Sequence, residues 1–321
     1  MKQTRNMLSR LLRTAALFLI TASLTACASS RPLAAAGHAD IDTVTVHIPG
    51  ISREYSLLFL TDMHIVVPGE SADGRLQDYA SERLSHFTDE TGHVSSELFA
   101  SWMDYANQTE PDALLLGGDI IDSPAPSNIE YLGQSLGKLK VPYLYAVGNH
   151  DWTYPWEYMT ETGTESYLPL LSPYMDSNTA IHSLELDDFI IVAVDNSNNQ
   201  IHPDALEEYR SILARNKPVI LLLHVPFYTE ELLAEASAVW PNSVVLGGGV
   251  HGGIYPNDVS AQFMSLTTAA DSPVAAVLAG HVHFSNVSSL AGEKNIPQIV
   301  GDAGYKGKAT LIRITADLET P

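Results

Sequence analysis

Five times along this chain an apolar run breaks directly into residues able to hold a cation. Leu58-Phe59-Leu60 runs into Thr61-Asp62-Met63-His64, and Leu114-Leu115-Leu116 into Gly117-Gly118-Asp119-Ile120-Ile121-Asp122. Leu144-Tyr145-Ala146-Val147 runs into Gly148-Asn149-His150-Asp151, Leu221-Leu222-Leu223 into His224-Val225-Pro226, and Val277-Leu278-Ala279 into Gly280-His281-Val282-His283. Apolar runs this short read as strands, and strand ends in α/β proteins converge on one rim, so donors offered from five of them can meet at one point. Asp62 and His64 are one residue apart, as are His281 and His283, and extended backbone would send both members of each pair to one side. Carboxylate oxygen, amide oxygen and imidazole nitrogen together suit Mn, Fe, Co, Ni or Zn. Glycines at 117, 118, 148 and 280 allow sharp turns beside such ions.

A lone Asp-x-His is most simply a turn with a capped histidine; the ordered set of five is what carries information. In that order the sequence resembles the calcineurin-like metallophosphoesterase family, whose motifs run Asp-x-His, Gly-Asp-x-x-Asp, Gly-Asn-His-Asp/Glu, a lone His and Gly-His-x-His. The resemblance spans residues 62 to 283. It implies one divalent metal held by Asp62, His64, Asp119 and His283, and a second held by Asp119, Asn149, His224 and His281, with Asp119 between them. It also implies hydrolysis of phosphate mono- or diesters by a hydroxide bridging the two ions. His150 would then face the departing oxygen and Asp122 would orient it, a carboxylate on one ring nitrogen favouring the imidazolium. Asn149 is expected to touch substrate as well as metal. Asp151 matches the family's acidic position, with a less defined role; hydrogen bonding of Asp122 and Asp151 to loop amides is the plainer alternative for both.

The remaining pattern fits an α/β domain. Thr43 to Ile48, Tyr55 to Leu60, Ala113 to Leu116, Tyr143 to Val147, Ile181 to Leu186, Phe189 to Val194, Val219 to Leu223, Val244 to Leu246, Val274 to Leu278, Gln298 to Val300 and Thr310 to Thr315 read as strands. So many strands favour two packed sheets flanked by helices. The resemblance implies the same arrangement, a four-layer α-β-β-α sandwich of two mixed sheets. Ser96 to Asn107 and Pro203 to Arg215 have helical periodicity, and Asp187-Asp188 reads as a hairpin turn. The domain is expected over 43–321, with 65–110 as an insert because it exceeds what one loop and one helix need.

The first residues read as an address. Lys2, Arg5, Arg10 and Arg13 precede an apolar stretch too short to span a bilayer, and Cys27 follows Leu24-Thr25-Ala26. That stretch resembles the lipobox of bacterial lipoproteins, which implies a signal peptide over 1–27, lipidation of Cys27 and an extracytoplasmic, membrane-anchored location. Residues 28–42 are expected to be a flexible linker, His38 included. Cys27 is the single cysteine, so neither an internal disulfide nor a thiolate metal cluster can form. Without residues 1 to 27 the chain carries 17 − 4 = 13 basic against 38 acidic side chains. Such a surface repels polyanions, so a small phosphate ester is the expected partner and nucleic acid is not.

Substrate choice is expected to lie outside the motifs. The 65–110 segment offers Arg75, His86 and His93 as parts of a lid or of an ordinary surface helix, and the glycine-rich stretch from Gly247 offers His251 and Tyr255 as substrate contacts. Gly301 to Tyr305 is a third possibility. Few Arg or Lys stand near the motifs to clamp a phosphate. A metal-binding surface lipoprotein without turnover is the alternative from another class; an unligated histidine at 150 beside Asp122 is the feature it does not need.

Overall fold

Alternation at single-residue spacing builds the centre of the molecule. In the computed structural model, which describes residues 40–69, 78, 82–240 and 255–316, Leu57 and Phe59 point into the space between two sheets while Leu58 and Leu60 point out toward helices. Ala113 and Leu115 against Leu114 and Leu116 repeat the division, as do Ile191 and Ala193 against Ile190 and Val192. A strand apolar on both faces must be covered on both, and this requirement dictates the four layers.

Sheet one orders its strands β1 (Asp40–His47), β11 (Lys308–Thr315), β2 (Tyr55–Leu60), β3 (Ala113–Leu116) and β4 (Tyr143–Tyr145). Sheet two orders β5 (Ile181–Glu185), β6 (Ile190–Val194), β7 (Val219–Leu222), β8 (Val274–Ala279), β10 (Ile296–Val300) and β9 (Asn286–Leu290). Both are mixed: β2, β3 and β4 run parallel while β11 runs against β2, and β6, β7, β8 and β10 run parallel between antiparallel β5 and β9. The expected α/β sandwich is the observed fold. Each fully buried Leu or Phe of the shared core contributes roughly 2 kcal/mol by leaving water.

Helix Ser95–Thr109 packs Leu98, Phe99, Trp102, Met103 and Ala106 on the outer face of sheet one. It stops where Glu110 turns left-handed ahead of Pro111. This helix falls within the expected 65–110 insert and links β2 to β3. Helix Pro203–Leu213 begins on proline and buries Leu206, Tyr209 and Ile212 against sheet two. Asp187 and Asp188 close the β5–β6 hairpin. No helix among the described residues is long and apolar enough to cross a membrane.

Two elements depart from the sequence reading. Strand β1 starts at Asp40, three residues before the expected Thr43: Val44 and Val46 alternate with Thr45 and His47, but Asp40, Ile41 and Asp42, which pair with Lys308, Ala309 and Thr310 of β11, are out of that period. Strand β9 was not expected, because its inward positions are Asn286, Ser288 and Leu290. Cys27, His38, Arg75, His251 and the expected strand Val244 to Leu246 lie outside the described residues.

Candidate metal centre

The five donor segments follow the carboxyl ends of β2, β3, β4, β7 and β8, three from one sheet and two from the other. Backbone rungs fasten them together: Asp62 N donates to Gly118 O at 3.0 Å, His64 N to Asp119 O at 2.8 Å, and Gly280 N to His224 O at 2.9 Å. Asp62, His64, Asp119, His281 and His283 all have positive φ, between 45° and 77°. The Asp-x-His and His-x-His pairs therefore reach one side through alternate left-handed residues, and the extended backbone expected for them is absent. A left-handed residue with a β-carbon is strained by about 1–2 kcal/mol, so these turns persist only because the ladders and the core fix them. Glycine is required at two close approaches. A Cβ on Gly148 would stand 2.0 Å from Asp119 N, and one on Gly280 1.8 Å from Thr61 Oγ1.

The side chains converge in two groups. Donor atoms of Asp62, His64, Asp119 and His283 lie within 4.8 Å of one another, as do those of Asp119, His224 and His281. Asp119 Oδ2 sits 3.2 Å from His224 Nε2 and 3.8 Å from His64 Nε2, and so faces both groups. Its other oxygen accepts the backbone N–H of His150 at 2.7 Å. Asp62 Oδ2 accepts from Thr61 Oγ1 at 2.7 Å and from His281 N at 2.9 Å, leaving Oδ1 3.3 Å from His283 Nε2.

The donor set fits divalent ions. His64 Nε2 and His283 Nε2 face each other at 3.0 Å, and His281 Nδ1 and His224 Nε2 at 3.2 Å. Two imidazole nitrogens so placed need either a shared proton or a shared cation. Partners behind the rings favour the lone pair pointing inward: His64 Nδ1 lies 3.1 Å from Asp122 Oδ1, and His224 Nδ1 2.8 Å from Gly117 O. Asn149 Oδ1 is buried without a hydrogen-bond partner among the described residues, the position a carbonyl ligand needs when a cation supplies its missing contact. Burial, with the charge on His150, lowers the pKa of His64 to about 4. Burial, with the charge on His224, lowers that of His281 to about 3. Burial opposes protonation of His224, but the Asp119 carboxylate outweighs it and raises His224 to about 9. Burial likewise opposes ionisation of Asp119, yet His224, His150 and His64 hold it well below the carboxylate range.

A sequence profile of calcineurin-like phosphoesterases, Metallophos, matches residues 55–285. The chain belongs to that family. Among solved structures, this phosphoesterase is similar to a dimetal phosphatase from Danio rerio, at 11% identity and TM-score 0.47, over 78% of this chain and 88% of that one. It is similar to a purple acid phosphatase from yellow lupin, Lupinus luteus, at 15% identity and TM-score 0.47, over 82% of this chain and 46% of that one. A conserved uncharacterized protein of Streptococcus pneumoniae, described as a predicted phosphoesterase, aligns at 11% identity and TM-score 0.28 over 79% and 75% of the two chains. No functionally curated protein matches the chain significantly.

Beside the phosphoesterase's metal cluster, His150 is buried with Nδ1 3.0 Å from Asp122 Oδ1 and 3.1 Å from Asp122 O, which leaves Nε2 for a ligand. Burial disfavours its imidazolium, but Asp119 and Asp122 more than compensate and raise its pKa. Asp122 also takes two hydrogen bonds from Arg83, a residue the sequence reading passed over. Asp151 binds loop amides, as its plainer reading had it: its oxygens accept from Gly148 N, Asp119 N and Ile121 N. Burial and the Asp119 charge raise its pKa to about 7.

Segment 65–94 of the phosphoesterase reaches the centre through Arg83 and Phe87, the latter stacked on His64 with ring centroids 4.2 Å apart. His86 is exposed, and His93 bonds locally to Thr91 and Asp89, so neither histidine of that segment joins the cluster. Tyr255 is 67% exposed and makes no ring contact with the cluster among the described residues. The Gly301 to Tyr305 stretch does arrive: Gly304 N donates to Thr61 O, and the Tyr305 ring stands 5.6 Å from His283. Trp240 stands edge-on to His283 at 5.3 Å, and Tyr154 and Trp156 flank His150. Sequence carries no periodic signal for these aromatic neighbours, because they come from a helix end, single 3-10 turns and irregular chain.

Proposed function

We propose that this chain is a phosphate-ester hydrolase working with two divalent cations, Mn, Fe, Zn, Ni or Co, one held by Asp62, His64, Asp119 and His283 and the other by Asp119, Asn149, His224 and His281. The observation that carries this reading is Asp119 Oδ2 standing between His64 and His224, with a separate donor group on either side. When bound, such ions polarise a phosphoryl group and make water acidic enough to supply a nucleophile near neutral pH. The chain's own contribution is proton handling. His150 holds a proton that it donates from Nε2 to the departing oxygen, while Asp122 stabilises the imidazolium and fixes the ring. Asp151 keeps the Gly148 and Asp119 loops in register, which positions Asn149 and His150.

Monoesters and diesters of small alcohols are the proposed substrates. An acidic body disfavours nucleic acid. The reading includes export and a lipid on Cys27, supported by the basic, apolar and small-residue order of residues 1–27. Residues 28–321, loaded in turn with each metal, should hydrolyse phenyl phosphate or its diester, and Asp119→Asn should abolish turnover. Metal-loaded protein that cleaves neither ester would make this a binding protein. Labelled palmitate should enter the full chain and not the Cys27→Ser variant.

A further inference from the structure

Exposed aromatic side chains are ordinary, so exposure alone marks nothing. Trp156 differs through its neighbour. Its ring centroid lies 4.8 Å from that of His150 at an interplanar angle of 72°, while 52% of the residue remains exposed. Tyr154 stacks on the same imidazole at 4.7 Å and meets the Trp156 ring edge-on at 5.2 Å. The Arg83 guanidinium lies 4.2 Å from the Tyr154 ring centre and is engaged by Asp122. Two aromatic rings thus pack on His150, and the guanidinium beside them is already paired with Asp122.

We infer that Trp156 is a specificity residue that receives the leaving group, and that the substrate class is phosphate esters of aryl alcohols, with a planar ring directly on the ester oxygen. The inference rests on the hydrolase reading, in which His150 hydrogen-bonds that oxygen. An oxygen about 2.6–3.2 Å from His150 Nε2 carries its substituent into the reach of any ring packed on that imidazole. A planar group there makes offset or edge-to-face contact with indole, and covers apolar surface now open to water. A short alkyl group cannot do this.

Nonhydrolysable phosphonate analogues of the esters separate the two readings. Benzylphosphonate, whose methylene replaces the ester oxygen of phenyl phosphate, and ethylphosphonate, the matching analogue of methyl phosphate, are titrated calorimetrically into metal-loaded residues 28–321. Benzylphosphonate should bind about tenfold more tightly than ethylphosphonate, the size of one aromatic contact. Trp156→Ala should bring the two to within about twofold, and Trp156→Phe should restore most of the preference. Retained ethylphosphonate binding in Trp156→Ala shows that the site is folded. Equal affinities in the parent protein, or a preference surviving Trp156→Ala, overturn the inference and leave the hydrolase reading intact. Failure to bind either phosphonate overturns it too. Hydrolysis assayed on the same samples tests the hydrolase reading separately: turnover without a Trp156-dependent preference overturns the inference alone, and a preference without turnover overturns the hydrolase reading together with the leaving-group role built on it.

Discussion

Arg83 grips Asp122 through both carboxylate oxygens, Nε to Oδ2 at 2.7 Å and Nη2 to Oδ1 at 2.8 Å. The same carboxylate stands behind His64 and His150, so one residue from the segment after β2 steadies both rings, a proposed metal ligand and the proposed proton donor, together. Arg83→Met removes one partner of a buried ion pair and should cost about 3 kcal/mol of stability in denaturant unfolding. Turnover should fall with it, and Arg83→Lys should recover only part, because an ammonium cannot reproduce the planar fork.

His150→Ala separates proton donation from metal binding. Metal content by elemental analysis should equal that of the parent protein, while kcat on an alkyl phosphate falls about 10²- to 10⁴-fold. The loss should be smaller for a nitrophenyl ester, whose departing oxygen needs little help. His224→Ala should instead lower the metal content itself.

Gly148→Ala tests the crowding beneath the site. Its methyl would meet Asp119 N at 2.0 Å and Gly118 C at 2.8 Å, backbone atoms that cannot swing away. Overpacking of this kind costs roughly 1–3 kcal/mol or more, so the variant should melt earlier and bind less metal. Normal melting and full metal content would contradict the described packing.

His182, in β5, gives a pH effect remote from the metal cluster. It is buried with neither ring nitrogen paired among the described residues, and burial lowers its pKa from 6.5 to about 4 despite the opposing pull of Asp176. The unfolded chain takes up this proton as pH falls through 6.5, and the folded chain does so only near 4. Stability present above 6.5 is therefore lost across that interval, by up to about 3 kcal/mol. Unfolding of chelated protein between pH 7 and 4 should show a shallower decline for His182→Leu than for the parent.

The core and the meeting of the donor side chains were legible in sequence for one shared reason. Strands buried on both faces leave unbroken apolar runs, as at Leu114 to Leu116, and a residue at the end of such a run has nowhere to go but the rim. What escaped was whatever lacks a period. Arg83 reaches the site from a short helical stretch, Trp156 and Tyr305 from single 3-10 turns, and Phe87 and Tyr154 from irregular chain, all too short to show a period, and proximity there depends on tertiary packing that no local pattern encodes. Strand β9 escaped because its inward Asn286 and Ser288 erase the alternation. The extended geometry expected for Asp62 and His64 failed because spacing shows that two side chains share a side without showing which backbone achieves it.

The left-handed turns at the cluster set durability against chemistry. Glycine at Asp62, His64, Asp119, His281 or His283 would relieve each turn by about 1–2 kcal/mol in metal-free protein. At Asp62 and Asp119 glycine would also strip away a buried carboxylate and the hydrogen bonds it accepts, so the strain is held in place by the same groups that shape the site. On the proposed two-metal reading a cation would add its own hold on these turns, which makes metal supply during growth a determinant of which variants stay folded.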